Sequence, residues 1–162
     1  MSRSGKAREQ YTQNLPNVSY IAADCLKPDS YLKHLEDCDG VLHTVGTLLP
    51  SKHENRNYLA LNKTAATNIA TALNSFGEKR TFVMMSSEKA PPLLSEYLSR
   101  KIEAENFILE ECHNLKPTFL RAGFVVDKDE RWWSTPLGFS VDILAKSYDM
   151  QCKVLPFMKA FD

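Results

Sequence analysis

Four apolar runs punctuate the chain, and segments with a helical spacing of apolar positions separate them. Residues 17–24 form a short β-prone run that ends on an acid, and Lys27-Pro28-Asp29-Ser30 behind it can start a helix carrying Tyr31, Leu32 and Leu35. Residues 40–46 are a second run, bounded by glycines, whose unbroken hydrophobicity predicts a strand buried on both faces. Leu59, Asn62, Ala66, Ile69, Ala70 and Leu73 then recur at spacings of three and four, a helix that Gly77 stops. Residues 80–87 predict a third strand. Ser95 can cap a helix from Glu96 to about His113 with Leu98, Ile102, Ile108, Leu109 and Cys112 inward, and residues 117–126 predict a last strand. Strand and helix alternate three times with connections long enough for crossovers, which predicts an α/β fold: a parallel sheet covered by helices on both faces.

The length of 162 residues suits one domain with a substantial core, since on the order of 70% of the unfolded chain's surface can be buried at this size. Twenty Lys and Arg balance twenty Asp and Glu, so the chain supplies no broad field for a phosphate backbone, and a nucleic-acid partner is disfavoured. No uncharged apolar run approaches the ~18–20 residues needed to cross a bilayer, and no transmembrane segment is expected. Cys25, Cys38, Cys112 and Cys152 lie far apart without a CxxC, which argues against a zinc ribbon or redox dithiol and fits reduced thiols. Cys112 beside His113 reads as a packed thiol at a helix end rather than a ligand pair, and no metal site is expected. The basic, hydroxyl-rich residues 1–8 lack the apolar face of a transit peptide. Trp132-Trp133, behind the charged residues 127–131, reads as packing over a helix end, with a membrane or protein anchor as the other reading.

In a parallel α/β sheet, ligands gather at the carboxyl ends of the strands. Those tips carry Asp24, residues 43–48, Ser86-Ser87 and residues 121–124, and Tyr97 and Lys101 follow soon after the third. Four residues apart on one helix, Tyr97 and Lys101 project from the same face. A phenol is a poor base at neutral pH. A neighbouring ammonium favours the phenolate, and lowering a phenol pKa by roughly three units takes about 4 kcal/mol. A Ser hydroxyl could hold a substrate carbonyl or alcohol while the Tyr passes the proton. YxxxK alone is a weak signal, and the bland reading is an exposed Lys beside a half-buried Tyr. Its place behind a strand ending in Ser86-Ser87 is what raises it. Asn62, on an otherwise apolar helix face, reads equally as a brace for the active-site end or as a satisfied core amide.

This order of motifs, a strand ending in Ser, then Tyr97-Leu98-Ser99-Arg100-Lys101, then Leu120-Arg121-Ala122-Gly123-Phe124, resembles the atypical short-chain dehydrogenase/reductase superfamily. Within it the chain looks most like the mitochondrial NAD(P)-binding proteins tied to ubiquinone biosynthesis, the coenzyme Q protein eleven type. The resemblance implies a Rossmann-like parallel sheet with helices on both faces, lacking the first β-α unit. It makes residues 1–162 a single partial NAD(P)-binding domain, with 127–162 opening a substrate-side region. Ser86, Tyr97, Lys101 and Asn62 then match catalytic positions. Arg3, Asp24, Val45 and Gly46, with Tyr97 and Lys101, match cofactor-binding positions, with Arg3 placed to favour a 2′-phosphate.

Two departures bear on that reading. The six glycines, at 5, 40, 46, 77, 123 and 138, make no GxxGxxG turn to hold a pyrophosphate, and Ala122 stands where the family has Pro. Three expectations follow. One is an NAD(P)-dependent oxidoreductase acting on a quinone-like or isoprenoid small molecule. Another is a non-catalytic Rossmann-type accessory or scaffold subunit of a mitochondrial complex, or a homo-oligomer. The last is a chain truncated at both ends relative to the full protein. The mitochondrial location comes from the resemblance alone.

Overall fold

The computed structural model describes residues 1–6, 17–51, 56–90 and 94–123. Three strands, β1 (Gly40–His43), β2 (Arg80–Ser87) and β3 (Leu115–Ala122), form one parallel sheet in the order β1-β2-β3. β1 lies on β2 with Val41 opposite Phe82 and His43 opposite Met84. A 3₁₀ turn (Pro28–Ser30) leads into the short helix α1 (Leu32–Leu35), and a π-helical stretch (Leu59–Thr64) runs straight into α2 (Ala65–Asn74). α3 (Ser95–Glu111) links β2 to β3. The chain divides into two compact units, Met1–Arg121 and Ala122–Asp162, and of the second only Ala122 and Gly123 are among the described residues.

The core follows from alternation on β2. Arg80, Phe82, Met84 and Ser86 are buried, with the intervening residues half-buried or exposed. Phe82 and Met84 meet Tyr31 and Leu35 near α1, Ala66, Ile69, Ala70 and Leu73 from α2, and Ala104 and Ile108 from α3, all in one apolar cluster. Small residues on α2 let that helix approach the sheet closely. Arg80 donates from Nη1 to the Leu35 carbonyl at 2.7 Å and lies 4.7 Å over the Phe76 ring, tying the start of β2 to the end of α1. Asn114 donates its backbone N–H to Asn74 Oδ1 at 2.9 Å, fixing the entry to β3 against the end of α2.

β2 and the alternation of strand and helix are where the sequence places them, and other expectations are corrected. Residues 17–24 form no strand ladder; Ala22 makes a single parallel bridge to Ser2. β1 ends at His43 rather than Gly46, and Leu42 is 62% exposed, so this strand is not buried on both faces among the described residues. Ser95 opens α3 rather than capping it. On α3 Ile102 and Leu109 point outward, while Lys101, Ala104, Glu105 and Ile108 are buried. The last strand starts at Leu115, two residues earlier than expected. Residues 127–162, including Trp132-Trp133, lie outside the described residues.

Candidate functional site

The residues that sequence reasoning placed at the tips of the second and third strands do come together. Asn62, on the π-helical stretch, is 1% exposed. Its Oδ1 accepts the Thr47 N–H at 2.8 Å and its Nδ2 donates to the Thr47 carbonyl at 2.9 Å. A six-residue π segment is rare, and here it carries the amide that clasps the loop beyond β1. Tyr58, just before it, donates its hydroxyl to the Leu48 carbonyl at 2.9 Å, so the loop is held at three backbone points. Gly46 is required by close approach. A Cβ there would stand 2.9 Å from Asn62 Oδ1 and 3.4 Å from Lys101 Nζ.

Across from this loop, Lys101 projects from the second turn of α3 and is 5% exposed. Its Nζ donates to the Met85 carbonyl at 2.7 Å and lies 5.7 Å from the centre of the Tyr97 ring. Burial lowers the Lys101 pKa, and the Glu105 carboxylate one turn along the helix opposes that shift. Tyr97 is half-buried, and Tyr58 meets it edge-on with ring centres 6.2 Å apart. Burial pushes the Tyr97 phenol above its ordinary pKa; a hydrogen bond with Ser87 pulls the other way and Tyr58 adds to the rise. The sequence argument had the ammonium lowering this phenol. In the structure that ammonium is spent on a backbone carbonyl, and desolvation prevails.

Ser87, not Ser86, is the hydroxyl that reaches Tyr97. Ser86 is 6% exposed on the same face of the sheet as Phe82 and Met84, and its Oγ has no hydrogen-bond partner. His43, at the head of the 43–48 stretch, is 2% exposed, stacked on Phe82 with ring centres 6.3 Å apart, and its Nε2 is also without a partner. Burial lowers its pKa to about 4, and nearby Lys101 contributes to the drop. Glu105, 1% exposed and bonded by Arg121, was missed; a hydrophobicity pattern cannot register a buried ion pair.

Among the described residues, no hydrogen bond joins the side chains of the remaining candidates to this cluster. Arg3 is exposed, Val45 is 38% exposed and Asp24 is half-buried. The Asp24 carboxylate accepts the Leu26 N–H at 3.0 Å, and its backbone N–H donates to Ser30 Oγ at 2.9 Å, so the side chain is engaged in its own turn. A cleft of about 320 Å³, lined among others by Glu36, Asp39, Glu78 and Arg80, opens at the opposite, amino-terminal end of β1 and β2. No described helix is long and apolar enough to cross a membrane. Among the described residues no group of three or more His, Cys, Asp or Glu is arranged to hold a metal ion.

No protein-family model matches the chain. It is similar to MIOREX complex component 2 of Saccharomyces cerevisiae, with 27% identity over 179 residues covering 79% of this chain. The chain spans 63% of the length of that relative.

Proposed function

We propose that the protein is a subunit of a mitochondrial protein assembly, built on a Rossmann-like domain whose Tyr/Lys pair runs no chemistry. The observation that carries this reading is the similarity, over 79% of the chain, to a protein named as a complex component. The site agrees with it. Its phenol is pushed up rather than down, and its ammonium is tied to a backbone carbonyl. In native electrophoresis of mitochondria the protein is expected in a particle well above its own 18.4 kDa, with Tyr97→Phe leaving that particle and cell growth unchanged. A free monomer in mitochondria, or a growth defect confined to Tyr97→Phe, overturns the reading.

A second reading has one specific observation in its favour, the gathering of Ser87, Tyr97 and Lys101 beside Gly46. It makes the protein an NAD(P)-dependent oxidoreductase of the atypical short-chain dehydrogenase/reductase kind, with a quinone-like or isoprenoid substrate linked to ubiquinone biosynthesis. Against it, Ser86 is buried on the core face of β2, the Lys101 ammonium is held by the Met85 carbonyl and the Asp24 carboxylate is engaged in its own turn. Saturable NADPH fluorescence enhancement that Lys101→Ala abolishes would favour this reading; its absence at millimolar NADPH would remove it.

A further inference from the structure

Two buried side chains of opposite charge sit one turn apart on the inward face of α3, Lys101 and Glu105. A carboxylate in such a place needs a partner, because desolvation of an unpaired charge is prohibitive. Arg121 supplies it from β3, donating from Nε to Oε2 at 3.2 Å and from Nη2 to the same oxygen. The pair is lopsided. The Glu105 side chain is 2% exposed and that of Arg121 is 59% exposed, so water screens the cation far more than the anion.

The titratable groups that face Lys101 are few. His43 from β1 is neutral near pH 7, Tyr97 on its own helix is an uncharged phenol, and Glu105 is the anion whose field reaches the ammonium. Tyr58, ahead of α2, touches Tyr97 rather than Lys101. We propose that Glu105 is the positioning residue of this site, a buried counter-ion that keeps the Lys101 ammonium at its station on the Met85 carbonyl, with Arg121 setting how much of that negative charge Lys101 feels. The inference rests on the second reading for its purpose, a lysine poised beside Tyr97, and Glu105 acts through Lys101 rather than on a ligand.

The test is a pH titration of the full chain labelled with ¹³C at the lysine ε carbon, the Lys101 signal assigned by its loss in Lys101→Arg. Glu105→Gln is expected to lower the Lys101 midpoint by about one unit or more, since an opposite charge has been removed. Arg121→Gln is expected to raise it by roughly half a unit, because the carboxylate loses its screen. Glu105→Asp should restore part of the first shift. Unmoved midpoints, or shifts in one direction for both variants, overturn the proposal. Should Glu105→Gln fail to fold, Glu105→Asp, which keeps the charge on a stem one carbon shorter, decides the matter: a Lys101 midpoint no lower than that of the natural chain overturns the proposal. NADPH added to the same samples separates the two ideas. Lys101 shifts as stated without NADPH binding support the positioning role and remove the dinucleotide reading, whereas NADPH binding with an unmoved Lys101 does the reverse.

Discussion

The tips of β1 and β2 lie side by side, and each keeps one polar atom buried without a partner, but the atoms differ in kind. At β1 the atom is His43 Nε2, which can take a proton; at β2 it is the Ser86 hydroxyl, which cannot become charged in the accessible pH range. The surroundings differ too. The loop beyond β1 has its backbone clasped by Asn62 and Tyr58, whereas the β2 tip offers its Met85 carbonyl to a lysine and its Ser87 hydroxyl to a tyrosine. One tip is a fixed wall whose weakness is acid. The other is a cluster of neutral and charged groups held at short range with one buried hydroxyl unpartnered.

The largest expected effect breaks the β1 side. The folded-state pKa of His43 is about 4 against 6.5 for the free side chain, so both states are neutral above pH 6.5 and the full stability is present there. As pH falls through the window between those values, only the unfolded chain takes the proton, and stability is lost, reaching about 3 kcal/mol at pH 4 and below. Urea unfolding at pH 7 and pH 4.5 measures the loss. Carboxylates contribute their own acid dependence, so the comparison is with His43→Gln, whose pH slope should be shallower than that of the natural chain. Equal slopes would show that His43 does not titrate with unfolding.

The clasp comes next. Asn62→Ala removes two hydrogen bonds of about 1 kcal/mol each and leaves the Thr47 N–H and carbonyl without their side-chain partner, so unfolding stability should drop by about 2 kcal/mol. The loss should carry a local signature. Amide hydrogen exchange at Thr47 is expected to accelerate while amides in the core of β2 keep their protection relative to global unfolding. A uniform change across the chain would mean that Asn62 supports the core and not the loop.

How much of this was readable without coordinates depends on which force decides each element. β2 was legible to the residue, because a central strand declares itself by an apolar run between polar boundaries. α3 was legible as a helix but not in its orientation. Its inward face carries Lys101 and Glu105, each hydrogen-bonded by a partner distant in sequence, so an apolar-periodicity reading turns Ile102 and Leu109 inward although both are exposed. Residues 17–24 show the reverse failure: strand propensity was present, but among the described residues only Ser2 pairs there and no ladder forms. The pairing of Tyr97 and Lys101 was visible from a spacing of four, whereas the choice between Ser86 and Ser87 depends on which face of β2 each side chain takes. The direction of the Tyr97 shift was out of reach, since it turns on how far the ring is buried, which a spacing of residues does not reveal.

The smallest effect sharpens the β2 side and carries the opposite sign. A buried hydroxyl without a partner costs free energy, so Ser86→Ala, which deletes the oxygen and keeps the volume nearly constant, should raise unfolding stability by about 1 kcal/mol. A raised melting temperature at pH 7, measured beside Ser87→Ala, makes the distinction, because Ser87 donates to the Lys89 carbonyl at 3.1 Å and bonds Tyr97, so its removal should destabilise. Serines one position apart on a single strand would then move stability in opposite directions. A destabilised Ser86→Ala protein would show that the hydroxyl is satisfied in solution, and the contrast between a titratable atom and an unpartnered hydroxyl would reduce to His43 alone.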